Sequence, residues 1–581
     1  MAKIKEYLFV FLFFFPSLFF LPNVMRNAFY VQTVIVYAVL SLLVSIFIIE
    51  LMKKSKIVFY KISLVEILLF LYWFICVVSW VSAMIRFPQY STALFSEGSR
   101  AVLLLTFNSV IVFYVTIFFI KDNRILKKVL TALFLSAVIA SIYAILQFFG
   151  IELIWPQKMS AHASRPISTF GNPNFLASCL MLLLPLTIHR IIYSKIKIQW
   201  YIASILMLTA LICTSTRSAW LGLVCGLIVF FLFYIKTRKR NIKKVSIISF
   251  LTLLVISAVV YVSPARNEVK ERIQLSFVFK AANQAVHQRL LVWTIAKDMF
   301  LEHPLLGFGW GSFEIFYSLR QGDYLKDKRF RHYTPHANNA HNEILEQLTQ
   351  TGIIGFGVFV LLLFVLWKTL SKALYLKNID DSKRMELAAI TAGICAMLVD
   401  NMLNVTLHFT IPMMVFWFLA GIGVNKVRWI TKDTESIEYN IKFPVKIITG
   451  LVIIFLVWIN IVHIRYFYAE KYHFKGLALQ KGPNTLYNNT RARKHLQKAA
   501  SLNKYHVKNY FALGNTLMKL NLTDEAIKSF KRGITVHPGF YEIYVNLGRA
   551  YLKKGDKQNA VEQFRIARQL SPLLTDDVPK L

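Results

Sequence analysis

The stretch 174-NFLASCLMLLLPLTIHRIIYSKIKIQWYIASILMLTALICTSTRSAWLGLVCGLIVFFLFYIKTRKRNIKK-244 decides the fold. It reads as three apolar windows, at about 174–194, 199–214 and 218–235. The basic link 195–198, a turn around Arg217 and the basic run 236-KTRKRNIKK-244 punctuate them. Each window is close to the roughly 20 apolar residues that a helix needs to cross the hydrocarbon of a bilayer. Lys and Arg clustered between such windows orient a chain in a membrane, because basic loops stay on the cytoplasmic side.

The pattern extends in both directions. Further windows recur at about 29–51, 62–84, 101–120, 128–150, 245–263, 352–368, 385–404, 410–425 and 446–464. With the opening run 1-MAKIKEYLFVFLFFFPSLFFLPN-23 they make roughly 13 spans. That run has a basic head, but no small-x-small cleavage site follows it, so it is expected to be an uncleaved first helix with a cytoplasmic N-terminus. From there, loops 53–61, 121–127, 195–198, 236–244, 369–384 and 426–445 fall on the cytoplasmic side, and all carry Lys or Arg. The stretches 86–100, 151–173, the Arg217 turn, 264–342 and 404–409 fall opposite, with scattered Arg. Residues after about 465 then emerge on the outer face.

Composition agrees. Of 581 residues 56% are hydrophobic and only 17% charged, and Phe occurs 48 times. Mean hydropathy is +0.51. These values exclude a disordered chain, a collagen and a cysteine-stapled secreted module, and they argue against a cytosolic enzyme. The net charge of +37 sits in short clusters between apolar runs and not on one soluble face, so no nucleic-acid partner is expected. Cys76, Cys179, Cys213, Cys225 and Cys395 lie in or beside apolar runs and read as small core residues.

The tail contains a repeat with a period of 34. Leu513-Gly514 aligns with Leu547-Gly548, Ala526 with Ala560, Phe530 with Phe564, and Pro538 with Pro572. Period and pattern resemble the tetratricopeptide repeat, and a degenerate third unit is expected at about 474–507, where Ala492 and Ala499 fall in register. A helical stack of this kind commonly presents a concave surface to a protein.

The residues able to carry chemistry gather at the outer mouths of spans. In 214-TSTRSAWLGL-223, Arg217 is held near the membrane surface among Ser215, Thr216 and Ser218. It reads either as an anion ligand or as an interfacial arginine reaching lipid phosphates. In 160-SAHASRPISTFGNPNF-175 a turn at Gly171, Asn172 and Pro173 follows Arg165. The segment 283–304 reads as an amphipathic helix lying in the interface, with Arg289 aimed at a lipid head group. The glycine-rich 307-GFGWGSFEIFY-317 follows no strand and matches no nucleotide motif. In 335-PHANNAHNEILEQL-348, His336 and His341 precede an amphipathic run, and histidine is the side chain best suited to accept a proton near neutral pH. A zinc site of these two His with Glu343 lacks the HExxH spacing, so no metal and no cofactor is expected. Asp400, Asn401, Asn404 and His408 cluster at the end of another span, with Asn342 on the facing loop, where polar groups line cavities.

Taken together, STFGNPNFLA (168–177), STRSAWLGL (215–223), the QRLLVW region around Arg289, HPLLGFGWGSF (303–313) and HNEILEQLTQTGIIGF (341–356) resemble the O-antigen ligase and polymerase superfamily of bacterial membrane glycosyltransferases. The resemblance covers about 168–425. It implies an all-α fold of about 12–13 membrane helices with a large extracytoplasmic loop, here followed by the repeat tail. The corresponding division is a core at 1–428, a cytoplasmic linker and extra span at 429–465, and a repeat domain at 466–581. It implies inverting, metal-independent transfer of a glycan from an undecaprenyl-diphosphate donor to an acceptor hydroxyl, at the outer face of the bacterial inner membrane. Carried over, Arg217 and Arg289, with Arg165, bind the donor diphosphate, and His341, or His336, accepts the acceptor's proton. Asn172, Asn342, Asp400 and His408 line the cavity.

The acceptor stays open between lipid A core, polysaccharide and protein, so ligase, polymerase and protein O-oligosaccharyltransferase are all compatible. Outside this superfamily, a flippase for lipid-linked sugars would use the same basic cavity without chemistry, but it would be expected to show repeated halves. A membrane-anchored scaffold would leave Arg217, Arg289 and His341 without a role.

Overall fold

The computed structural model describes residues 2–22, 24, 28–53, 56–154, 165–237, 284–327, 329–330, 336–376, 379–432, 436–440 and 443–572. The first helices are α1 (Ala2–Phe14), α2 (Ala28–Met52), α3 (Leu64–Arg86), α4 (Ser91–Leu105), α5 (Val112–Phe119) and α6 (Asn123–Phe148), with a π turn at Thr106–Ile111. Then come α7 (Pro173–Tyr193), α8 (Ile198–Cys213), α9 (Arg217–Thr237), α10 (Gln284–Glu302) and α11 (Phe313–Leu325). The bundle closes with α12 (Glu343–Leu374), α13 (Asp381–Asp400), α14 (Thr410–Thr431) and α15 (Phe443–Lys481).

Among the described residues, nine helical stretches are long and apolar enough to cross a membrane. The expected count of roughly 13 also includes α1 with 13 residues, α8 with 16, and α13, whose first turns carry Asp381, Lys383, Arg384 and Glu386. The expected span at 245–263 lies outside the described residues. The protein is a multi-pass membrane protein and is helical throughout its described bundle, apart from one short antiparallel pair. In that pair β1 (Lys56–Tyr60) meets β2 (Ser436–Asn440), with Lys56 opposite Asn440.

Ion pairs gather one set of helix ends on a single face. Lys5 meets Glu50 at 2.6 Å, Glu386 meets Lys426 at 2.6 Å and Arg190 at 3.3 Å, and Glu66 pairs with the nearly buried Arg428. The β1–β2 pair lies on this face too, joining two loops that the charge pattern had placed together. The free cysteines Cys76, Cys179 and Cys213 are buried, as expected of core residues.

Close helix approach sets the opposite face. Cβ atoms added at Gly222 and Gly226 of α9 would stand 2.5 Å from the Ala396 carbonyl oxygen and 2.6 Å from that of Ala392. Small residues four apart let two backbones touch, which is how helices associate where no hydrophobic effect drives them together. Gly393 meets the Leu182 carbonyl of α7 in the same way, at 2.4 Å. The start of α9, the end of α13 and the start of α7 therefore converge.

The tail rises from the bundle as a continuation of α15 and continues as α16 (Leu486–Leu502), α17 (Val507–Lys519), α18 (Thr523–Val536), α19 (Tyr541–Lys554) and α20 (Lys557–Leu570). Phe530 and Phe564 pack onto Gly514 and Gly548, so the repeat glycines admit the aromatic ring of the next helix. The last turns of α15 pair with α16, where Ala492 and Ala499 are fully buried. The tail folds back onto the same face as the converging helix ends. A Cβ at Gly322 would come 1.8 Å from the Gln569 carbonyl, and one at Gly539 1.8 Å from the Ser318 hydroxyl.

Candidate active site

Three helix N-termini meet at this face. Asn172 caps α7, its Oδ1 accepting the Asn174 N–H at 2.8 Å. Helix α9 opens at Arg217, two residues after Ser215 at φ +52°. Asn342 caps α12, its Oδ1 accepting the Leu345 N–H at 3.1 Å. The unpaired N–H groups and positive dipole end of such termini favour anions.

Arg165 ties the first two termini together. Its guanidinium donates to the Thr214 carbonyl at 2.8 Å, Asn174 Oδ1 at 2.7 Å and Thr216 Oγ1 at 3.0 Å. The residue expected to bind a ligand thus also holds the frame from which Arg217 projects.

Arg289 lies on α10, which does not lie flat in the interface. Its Leu291, Val292, Ile295, Ala296 and Met299 are buried in a core shared with Phe308, Phe313 and Phe316. The lipid-facing expectation is therefore corrected: the apolar stripe packs into protein, and this turns Arg289 toward the bundle. Burial, and then the neighbouring Arg217, pull its guanidinium below its ordinary value, while Asp400 acts the other way. His341 stands beside it at φ +51°, and burial followed by Arg289 lowers its imidazole to about 4. Residues 217, 289, 341 and 400 form one electrostatic cluster. Two guanidiniums held together beside a neutral imidazole make a site suited to an anion with several oxygens.

Asp400 is wholly buried and accepts hydrogen bonds from Ser178 Oγ at 2.6 Å, Thr406 Oγ1 at 3.3 Å and Asn404 Nδ2 at 3.4 Å. Asn401 serves the backbone, its carbonyl accepting the Glu343 N–H at 2.8 Å and its Oδ1 the Leu407 N–H at 3.0 Å. His408 pairs with Glu343 at 3.0 Å. Burial opposes its charge, but Glu343 and Glu346 outweigh that and raise it to about 9. His336 has other company. It meets Glu542 of the tail at 2.9 Å and stacks on Phe540 and Tyr541.

The glycine-rich loop acquires a role that the sequence reading did not assign. Helix α12 breaks at Gly352 (φ +64°, ψ −167°). The break frees backbone groups inside the protein, where each needs a partner. Pro304 and Leu305 carbonyls accept the Ile353 and Ile354 N–H groups at 2.7 and 3.3 Å, and Phe308 and Gly309 N–H groups donate to Thr349 and Gln350 carbonyls at 2.8 and 3.0 Å. Gly307, Gly309 and Gly311 all have positive φ, which makes so close a plug possible. Glu346 and Gln350 extend the network, Glu346 accepting the Asn339 amide at 3.3 Å and Gln350 Oε1 accepting the Gly311 N–H. The signal in the sequence was Glu343, Glu346, Gln347 and Gln350 at helical spacing in an otherwise apolar run.

A paired-arginine cluster at the mouth of a helix bundle, with helical repeats packed on the same face, belongs here to a multi-pass membrane protein. Residues 202–360, which include Arg217, Arg289 and His341, match the family model described as O-antigen ligase, and 507–539 and 541–572 match the tetratricopeptide repeat. The chain thus carries an O-antigen ligase domain followed by tetratricopeptide repeats. It is 22% identical over 342 residues to a general O-oligosaccharyltransferase of Acinetobacter baylyi, covering 56% of this chain and 55% of that one. To a putative polysaccharide ligase of Rickettsia typhi it is 25% identical over 238 residues, covering 40% and 52%. The chain spans about half the length of the curated relatives it matches.

Proposed function

We propose that the protein transfers a glycan from an undecaprenyl-diphosphate-linked donor to an acceptor hydroxyl, with inversion and without a metal, at the extracytoplasmic face of the bacterial inner membrane. The observation that carries this reading is the convergence of Arg217, Arg289, His341 and Asp400 into one cluster at a junction of helix N-termini. The names of the relatives support glycan transfer, and the basic loops on the face opposite the cluster support its orientation.

In this reading Arg217 and Arg289 bind the diphosphate oxygens, and Asp400 positions Arg289. The acceptor oxygen attacks the anomeric carbon from the side opposite the diphosphate. The new C–O bond forms as the old one breaks, the diphosphate leaves with the electron pair, and His341 takes the hydroxyl proton. The guanidiniums stabilise the charge that develops on the leaving group. With its imidazole lowered to about 4, His341 is neutral at neutral pH, as a proton acceptor must be. His336, held by Glu542, belongs to the tail contact in this scheme. Residues 1–428 serve as the transferase core, 429–465 as linker and extra span, and 466–581 as the domain that meets the acceptor, be it lipid A core, polysaccharide or protein, or an assembly partner.

The test is transfer in proteoliposomes supplied with an undecaprenyl-diphosphate glycan and a panel of acceptors. Wild type is expected to move glycan to one of them, and Arg217→Ala and Arg289→Ala to lose most of that activity at normal expression. Full activity in either variant would remove that arginine from the site, and glycan crossing the bilayer without transfer would favour a flippase.

A further inference from the structure

The lowest part of the tail presents a surface that the cluster does not use. Helix α15 leaves the bundle and continues unbroken to Lys481, and α16 returns along it. On α15, Arg465, Tyr468, Lys471, Tyr472 and Lys475 fall on one stripe by helical spacing. On α16 the exposed stripe is Tyr487, Arg491, Lys494 and Lys498, and that helix contains no Asp or Glu. The single acid of segment 465–481, Glu470, acts on Tyr30 of α2, on the opposite side of α15.

The two stripes join. Tyr472 stacks on His495 at 5.9 Å, Lys471 sits over the Tyr468 ring at 5.8 Å, and Arg491 lies over Tyr487 at 5.3 Å while donating to its hydroxyl at 2.9 Å. Burial, then Lys475, Arg491 and Lys494, depress the His495 imidazole, so the three cations act on one spot. From Arg465 to Lys475 the stripe climbs about 15 Å along the helix axis.

We propose that this column of cations and ring faces on α15 and α16 binds an acidic glycan, one whose sugars carry carboxylate or phosphate groups, as it rises from the membrane surface. Cations with no carboxylate on the same stripe select a polyanion. Tyr and His rings between them offer flat apolar faces to the C–H faces of sugar rings, a feature that lipid head groups and inorganic phosphate do not use. The column stands upright, whereas a surface built for lipid head groups would lie along the bilayer, within a Debye length of it. The inference rests on the glycan-transfer reading only for why a glycan should arrive there.

The experiment uses the full chain in nanodiscs of phosphatidylcholine, titrated with an oligogalacturonate and with its neutral methyl ester. Wild type is expected to bind the acid about tenfold or more tightly than the ester, with affinity falling as salt rises. The variant Lys475→Gln/Arg491→Gln/Lys494→Gln is expected to lose that preference, and Tyr472→Ala to weaken binding severalfold. Equal binding of acid and ester, an unchanged triple variant, or capture by phosphatidylglycerol vesicles without oligogalacturonate binding would overturn the proposal. The readout needs no turnover, so acid-selective binding by a wild-type protein that transfers no glycan would overturn the transferase reading alone.

Discussion

Arg289 of α10 acts on His341, which stands one residue before the cap of α12, and burial together with that guanidinium holds the imidazole down at about 4. A base placed beside a cation is a poor base until the cation is neutralised. In the proposed reaction a diphosphate on Arg217 and Arg289 would supply that neutralisation, so donor binding itself would make His341 more basic. On that proposal the cluster would couple loading of the leaving group to readiness of the proton acceptor.

This gives a pH signature. In the proposed reaction only neutral His341 accepts a proton, so its protonation is expected to remove activity on the acid side. In the free enzyme that loss falls near pH 4, and in the donor complex it falls at higher pH. The acid limb of kcat, which reports the complex, is therefore expected above that of kcat/KM for donor, which reports the free enzyme. Coincident limbs would show that Arg289 is not offset by the donor.

The Glu343–His408 pair, 3.0 Å apart and almost fully buried, pins the start of α12 to the turn after α13. Removing one partner leaves a buried charge uncompensated, at a cost of about 3–5 kcal/mol. Glu343→Gln and His408→Leu are each expected to lower the thermal midpoint of the purified protein, and the double variant Glu343→Leu/His408→Leu to recover part of the loss. Additive losses would show that the pair does not act as a unit.

Much of this architecture was legible in the sequence, because a bilayer forces helices to advertise themselves. The windows at 174–194 and 218–235, the basic loops, the repeat pairs Gly514/Gly548 and Phe530/Phe564, and the separate candidates Arg217, Arg289 and His341 are all readable from composition and spacing. Their meeting was not. It depends on Gly222 and Gly226 lying against Ala396 and Ala392, and a four-residue spacing does not name its partner helix. The apolar stripe of 283–304 was assigned to lipid because it looks the same whether lipid or Phe308 covers it. The break at Gly352 was hidden in a run whose hydropathy continues through it.

That break yields a contrast between two glycines of one helix. A Cβ at Gly352 would stand 2.2 Å from the Leu305 carbonyl in a left-handed backbone, whereas one at Gly357 would have nothing within 4 Å. Gly352→Ala is expected to cost about 1–3 kcal/mol or more in unfolding, and Gly357→Ala to be neutral or slightly stabilising. Thermal unfolding in detergent checks both, and equal midpoints would mean that the plug is not strained as described.

The tail's seat offers another. Gly322 lies under the Gln569 carbonyl, and Glu314, His336 and Ser96 add contacts to His537, Glu542 and Tyr505. Gly322→Val is expected to lift α20 from α11, seen as faster hydrogen exchange at 537–541 and 566–571 with the membrane bundle unchanged. Unaltered exchange there would show that the seat does not hold the tail.

The central claim separates donor binding from proton transfer, and His341→Ala tests that separation most directly. Donor affinity and single-turnover transfer would be measured on the same preparation of wild type, Arg289→Ala and His341→Ala. The account predicts that His341→Ala binds donor as wild type does, or more tightly, yet fails to transfer, while Arg289→Ala loses donor binding. Transfer by His341→Ala at the wild-type rate would contradict it.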